Sequence, residues 1–292
     1  MKKDRFMQLA MLMAVTTFAA CQNGDVDDFD NGKQEKAEIV LEMIHPNGNV
    51  TRATETAFVQ SDQVGVYVTA ADAALQLGGN EVNNELFTYN GTSWTSGRKV
   101  YWNNGTHNVY AYYPYSDKVN DVNDYSFSVQ EDQSTKENYA QSDFLWASAA
   151  EVTASASPVK MKFSHKLSCV VVKLAKGNTY EGNLPSDAEV YIYSTVAKAS
   201  ANLSTGDVSK DNYAGSSTIR CLKKSAEEYT AIIVPQSITT RRPLVEVIAD
   251  GVSYLMEGKI SFKPGMRHTI EVTLDKNPEK VKIDIGGEIG GW

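Results

Sequence analysis

The chain has 292 residues, of which 42% are hydrophobic and 22% charged, so it can bury a core and does not have the composition of a disordered protein. Its 36 acidic and 28 basic residues give a formal net charge of −8, which argues against a surface built to bind nucleic acid. Only three cysteines exclude a disulfide-dense scaffold, and the length suits two domains.

Residues 1–20 have the layout of a secretory signal, with a basic start, an apolar stretch at 6–15 and small residues that lead to Cys21. That stretch is too short to cross a bilayer as a permanent helix. Residues 18–21 resemble the lipobox of bacterial lipoproteins, in which cleavage before the cysteine leaves a residue that carries lipid. We therefore predict a lipoprotein signal peptide over 1–20 and an acylated Cys21. The alternative is an ordinary secretory signal with an incidental cysteine.

Residues 21–36 are polar and acidic, and we predict that they form a tether because they cannot bury enough apolar surface to fold. A first strand follows, since Ile39, Leu41 and Met43 alternate with more polar neighbours. Arg52 lies in the polar, turn-rich segment after this strand and is the only arginine between Cys21 and Arg98.

Period-two patterns and turn signals dominate the rest of the chain. Asn-Gly pairs at 90–91 and 104–105 predict hairpins, and only residues 70–77 are predicted to be helical. Strands are predicted at 64–69, 86–89, 93–95, 99–102, 108–113, 125–130 and 144–148, then at 159–163, 167–174, 188–194, 199–203, 217–222, 229–234, 244–249, 252–256 and 268–274. We therefore predict an all-β protein of sandwich type, with an N-terminal domain at 37–164 and a C-terminal domain at 165–292.

A search for catalytic motifs finds none that indicates an enzyme, a metal site or a cofactor. The four histidines, His45, His107, His165 and His268, have no ligand spacing and are expected at the surface or at strand ends. Nucleotide-binding and nucleophile-elbow motifs are absent from the sequence. A glycosidase remains an alternative, because its two carboxylates can come from distant strands. Cys169 and Cys221 are expected to be unpaired thiols.

An aromatic segment offers a second alternative. Tyr110 and Tyr112 share one face of a predicted strand, and the turn at 103–105 brings Trp102 near them. The three side chains are a candidate glycan platform. The other interpretation is a set of cross-strand aromatic pairs that close a sandwich core, which is what tyrosine on a half-buried strand usually does.

Several segments together resemble the fimbrillin family, the lipoprotein precursors of type V pili and their relatives in the Bacteroidales. They are VTRAT at 50–54, DQVGVY at 62–67, YW at 101–102, YAYYPY at 110–115, SDFLWA at 142–147, FSHKL at 163–167, AIIVPQ at 231–236, FKPG at 262–265 and the ending from Ile285 to Trp292. The resemblance implies two transthyretin-like Greek-key β-sandwich domains and no enzymatic activity.

The resemblance also implies a route of assembly. An arginine-specific protease would cut between Arg52 and Ala53 and release the first strand, and a strand from a neighbouring fimbrial subunit would then fill the groove by β-strand addition. Val281, Ile283 and Ile285 alternate after Pro278 and are the candidate donor strand. The alternatives are a solvated loop arginine and an edge strand of the chain's own second domain.

The expected location follows from the same resemblance. The precursor would be held in outer-membrane lipid through Cys21, exposed at the cell surface, and would enter a fimbrium after maturation, where a host or bacterial surface ligand is a further partner. The alternative function is that of a lipid-anchored surface protein that binds glycans.

Overall fold

The computed structural model of the chain describes residues 36–46, 57–276 and 282–292. The predicted signal peptide, nearly all of the predicted tether, and Cys21, Arg52, Ala53 and Val281 lie outside these ranges.

The described residues form twenty strands and one short helix. In the first part of the chain these are β1 (Leu41–Ile44), β2 (Gln63–Ala70), β3 (Val82–Tyr89), β4 (Trp94–Ser96), β5 (Thr106–Tyr113), β6 (Tyr125–Ser128), α1 (Lys136–Gln141), β7 (Leu145–Thr153), β8 (Val159–Lys162), β9 (Ser164–His165) and β10 (Ser168–Lys176). The remainder are β11 (Glu189–Thr195), β12 (Lys198–Ala201), β13 (Val208–Lys210), β14 (Ser217–Arg220), β15 (Leu222–Lys223), β16 (Glu228–Ile233), β17 (Gln236–Ala249), β18 (Val252–Phe262), β19 (Met266–Leu274) and β20 (Lys282–Gly291). The predicted all-β class is confirmed.

The strands form five sheets. A six-stranded sheet has the order β4-β3-β2-β5-β7-β9, and β1 pairs with β8 in a two-stranded one. The others have the orders β15-β16-β10-β19-β20, β14-β11-β17-β18 and β13-β12-β6. Pairing is antiparallel except for β1 with β8 and β10 with β19, which are parallel. This agrees with the hairpin turns that the sequence predicts.

Two hydrophobic clusters lie on opposite faces of the six-stranded sheet. Along β2, Val64, Val66 and Val68 point into the smaller cluster, which also holds the first strand, whereas Tyr67 points into the larger one. The larger cluster also contains the inward faces of the five-stranded and four-stranded sheets. A strand buried on both faces explains why β2 has an almost continuous apolar sequence.

The predicted helix at 70–77 is wrong. Ala70 ends β2, and a turn follows in which the amide of Ala73 donates to the carbonyl of Ala70 (3.1 Å) and Leu75 is buried in the larger cluster. Tertiary contacts therefore override the helix propensity of this alanine-rich segment. The helix that does form, α1, begins after Thr135, whose side chain accepts a hydrogen bond from the amide of Asn138.

The proposed division near Ser164 stays a prediction. Backbone pairing crosses that position, because β6 is hydrogen-bonded to β12 and Asp132 forms an isolated bridge with Arg220. In the part of the chain that the structure describes, no helix is long and apolar enough to cross a membrane.

Candidate functional site

The first strand segment, residues 37–44, lies between two other segments and is hydrogen-bonded to both. On one side, the amide of Ile39 donates to the carbonyl of Val100 (2.8 Å). On the other side, β1 pairs with β8 in parallel, and the amide of Phe163 donates to the carbonyl of Ile44 (3.0 Å). Successive residues of a strand point their backbone groups to opposite edges. This short segment therefore supplies hydrogen-bonding partners to the backbone of the segments on both sides of it.

The side chains of this segment alternate as the sequence predicts. Ile39, Leu41 and Met43 are 4%, 5% and 8% exposed and belong to the smaller cluster, whereas Val40 and Glu42 face outward. Burying three such side chains contributes roughly 1.5–3 kcal/mol each. That sum is comparable to the whole stability of a typical domain. Removing the segment would therefore open an apolar groove with unpaired backbone groups along both edges.

An aromatic cluster joins the two ends of the segment that contains Arg52. The ring of His45, just after β1, lies 5.1 Å from that of Phe58, and Phe58 packs edge-on against Trp94 and Phe163 at 4.9 and 5.4 Å. Burial lowers the pKa of His45 to about 4, although Asp143 partly opposes the shift. His45 is therefore neutral at pH 7, as a ring packed among aromatic side chains should be.

A cleft of about 890 Å³ opens beside this cluster. In its wall, Nδ1 of His165 lies 3.0 Å from a carboxylate oxygen of Asp143, and the indole of Trp292 stacks on the imidazole of His165 with ring centroids 3.9 Å apart. Asp62 also lines the cleft, and one of its oxygens accepts a hydrogen bond from the amide of Val59 (2.7 Å). Burial raises the pKa of Asp62.

The candidate donor strand lies at the edge of its own sheet. Ile283 and Ile285 are in β20, opposite Val272 and Ile270 of β19, and both pack against the larger cluster. This is the edge-strand position that the sequence left open as an alternative. The donor role of these residues stays a prediction.

The structure does not bring the candidate glycan platform together. Trp102 is 2% exposed in the smaller cluster, and Tyr112 is 1% exposed in the larger cluster, where Tyr110 also packs. The two clusters lie on opposite faces of the sheet, and a sugar ring cannot stack on a buried side chain. These aromatic residues close the cores, which was the other interpretation.

The histidines are expected at the surface or at strand ends, and the structure agrees in part. His165 ends β9 and His107 is the second residue of β5, but both of these and His268 are buried. His107 lies 2.9 Å from Glu81 through Nδ1 and 3.1 Å from the carbonyl of Asn103 through Nε2. Within residues 36–46, 57–276 and 282–292, no group of three histidine, cysteine or acidic residues could hold a metal ion. Cys169 and Cys221 carry buried thiols, and burial raises the pKa of Cys221.

These features define a class: an all-β protein whose N-terminal strand fills a groove between segments that come later in the chain. A profile of the Fimbrillin-like family matches residues 51–292, and the chain belongs to this family. The family consists of fimbrial structural and adhesion subunits, which are not a class of enzymes.

The comparisons with individual proteins agree. A Bacteroides ovatus protein named as a candidate fimbrium tip subunit, Fim1C, is 30% identical over 200 residues, which cover 60% of this chain but only 36% of that protein. This chain thus spans about a third of the length of that relative. The crystal structure of a candidate cell adhesion protein from B. ovatus matches with a TM-score of 0.71 at 22% identity, over 88% of this chain and 98% of that one. The tip fimbrial protein Mfa3 from Porphyromonas gingivalis, truncated at its C-terminus, matches with a TM-score of 0.53 at 6% identity, over 88% and 100%. At these identities the two structures show a shared fold.

Proposed function

We propose that the protein is a subunit of a cell-surface fimbria, made as an outer-membrane lipoprotein and polymerised by strand exchange. The observation that carries the proposal is the placement of residues 37–44, which fill an apolar groove and pair with the chain on both sides. Family membership and the fimbrial and adhesion names of the relatives support the same role.

Cleavage at Arg52 is the step that would free the groove. Arg52 comes after Ile44, the last residue of β1, so a cut before Ala53 would separate Cys21 and the first strand from the rest of the chain. The exposed groove could then accept an extended segment with alternating apolar side chains from another subunit. Residues 281–285 have that pattern, which makes them the candidate donor.

The experiment is digestion of the lipid-free precursor with an arginine-specific protease. We expect one early cut after Arg52, followed by the appearance of higher oligomers on size-exclusion chromatography. Arg52→Lys should abolish both the cut and the oligomers, because the protease does not recognise lysine. Arg98→Lys, in which the replaced arginine is paired with Glu85 (2.8 Å), is the matched control and should behave as the wild type.

Two results would overturn the proposal. One is a wild-type precursor that is not cut near Arg52. The other is a cut protein that remains monomeric and keeps its first strand bound.

A further inference from the structure

A pocket of about 250 Å³ is lined by residues from the C-terminal half of the chain and by none from the first strand. Its walls come from residues 194–196 and 236–239, together with Lys210, Ser216 and Arg242. Nearly all of the pocket-facing groups in these walls are hydroxyls, amides or cations.

The backbone around this pocket is irregular. The pairing of β11 with β14 shifts register between Ile192 and Thr195, and Ser194 has a positive φ of 59°. The pairing of β17 with β18 shifts twice, between Ile238 and Arg242 and again just after Pro243. The hydroxyl of Ser194 donates to the carbonyl of Pro243 (2.8 Å) and links the two irregular strands. Bulges are over-represented at sheet edges and next to active sites, where they redirect side chains, and strained backbone clusters at functional sites.

The charges in the pocket are both positive. No carboxylate lines it, and in the part of the chain that the structure describes neither Lys210 nor Arg242 forms an ion pair. Among the described residues, the guanidinium of Arg242 donates to the hydroxyl of Thr240, at 2.8 Å from one terminal nitrogen and 3.3 Å from Nε. Lys210 is half-buried and Arg242 is exposed, so the pocket presents two positive charges to solvent in a chain that is acidic overall. An anionic group would supply the missing counter-charge and could accept hydrogen bonds from both side chains.

Two half-buried tyrosines precede the pocket along β11, in the sheet formed by β14, β11, β17 and β18, although neither of them lines it. Tyr193 directly precedes Ser194, and Tyr191 lies two residues earlier on the same face of β11. Both hydroxyls donate to carboxylates, Tyr191 to Glu189 (2.6 Å) and Tyr193 to Glu246 (2.5 Å). These hydrogen bonds raise the pKa of Tyr193 to about 12 and hold both phenol groups in place.

We propose that this pocket and the adjoining tyrosine face form a binding site for an acidic saccharide, with its carboxylate or sulfate group between Lys210 and Arg242 and a neighbouring sugar ring against Tyr193. The pocket supplies charge complementarity for the anion. The tyrosine rings supply an apolar surface for the C–H face of a sugar. The carboxylates of Glu189 and Glu246 are already occupied, because Glu189 also accepts from Arg220 and Glu246 also accepts from Ser253. An acidic peptide would use the two cations but has no sugar ring to place against Tyr193. The proposal does not depend on cleavage or polymerisation.

The experiment is isothermal titration calorimetry of the full chain with 3′-sialyllactose and with lactose sulfate. Lactose is the neutral control, and a glutamate-rich peptide is the second acidic probe. We expect at least one acidic saccharide to bind, with an affinity at least tenfold above that of lactose and of the peptide, and binding should weaken with added salt. Failure of both acidic saccharides to bind, equal binding of lactose, or tighter binding of the peptide would overturn the proposal.

Variants locate the binding. Replacing both Lys210 and Arg242 with glutamine should reduce the affinity at least tenfold. Lys118 and Lys173 are exposed lysines outside the pocket. Replacing both with glutamine removes the same amount of charge and should change the affinity less than twofold. Tyr193→Ala should weaken binding severalfold, whereas Tyr193→Phe keeps the ring and should retain most of it. The proposal is wrong if the two double variants weaken binding equally.

Discussion

Tyr112 shows how a single buried hydroxyl is satisfied in this fold. Its side chain is 1% exposed, and the hydroxyl lies 2.9 Å from both the amide oxygen of Asn84 and the carbonyl of Ser116, whose own amide donates back to it at 3.2 Å. The group thus donates one hydrogen bond and accepts another inside the larger cluster. Burial raises its pKa above the range of ordinary tyrosines.

Tyr112→Phe should lower the free energy of unfolding by about 1–3 kcal/mol, because the amide of Ser116 and the side chain of Asn84 would lose a partner in a buried environment. Urea denaturation followed by circular dichroism measures the change. The matched control is Tyr213→Phe, since Tyr213 is fully exposed and its hydroxyl faces water. Equal effects of the two substitutions would contradict the role assigned to Tyr112.

His45 makes the stability depend on pH. Its pKa is about 4 in the folded chain against 6.5 in the unfolded one, so between these values the unfolded chain binds a proton that the folded chain does not. Stability should therefore fall as the pH is lowered from 6.5 to 4. The charged neighbours that act on the ring are Asp143, which favours its protonation, and His165, which opposes it.

His45→Gln should lose less stability than the wild type over that pH interval, because the titrating ring is gone while a polar side chain remains. Thermal unfolding at pH 7.0, 5.5 and 4.5 compares the two proteins. Parallel losses in both would show that other groups control the acid sensitivity.

Among the elements, the first strand has the clearest division between buried and exposed positions. A chain that starts at Ala53 lacks the three side chains that fill the groove, and its melting temperature should be lower than that of the whole protein. A synthetic peptide of residues 37–45 should restore it in a concentration-dependent way, because a ligand that binds only the folded state stabilises that state.

Two altered peptides test the register of this strand. Replacing Ile39, Leu41 and Met43 with serine should abolish the rescue, whereas replacing Val40 and Glu42 with serine should preserve it, since those positions face outward. Rescue by both peptides would mean that backbone pairing alone, without the side-chain pockets, holds the strand.

Period-two patterns predict most strands because the alternation reflects burial of one strand face, and the first strand is a direct example. These patterns do not reveal whether a given face of a strand is covered by a hydrophobic cluster or exposed to solvent. Tyr110 and Tyr112 share a face as predicted, but that face is covered by the larger cluster, whereas Tyr191 and Tyr193, with the same spacing, reach solvent. The spacing was visible in the sequence for both pairs. Only the packing of the sheets, which depends on residues far along the chain, distinguishes them.

At the scale of the whole molecule, the two predicted domains share a core. Tyr67, Tyr112 and Phe144 come from the first half of the chain, and they pack in the same cluster as Val190 and Ile192 from the second half. The pairing of β6 with β12 adds backbone hydrogen bonds across the same boundary. The described residues from Lys36 to Trp292 form one compact unit. The division near Ser164 stays a prediction, and the shared cluster indicates that the two halves are coupled in folding.

We accordingly expect one cooperative unfolding transition by calorimetry. Leu145→Ala, in the smaller cluster, and Ile192→Ala, in the larger one, should each cost about 2–5 kcal/mol. Tyr67 packs in the larger cluster and the valines beside it pack in the smaller one, so the backbone of β2 connects the two clusters. Loss of packing in one cluster therefore weakens the strand on which the other cluster also packs. Both substitutions should therefore lower the same melting temperature by several degrees. Two resolved transitions, each moved by only one of the substitutions, would instead show that the halves unfold independently and that the shared cluster contributes little to their coupling.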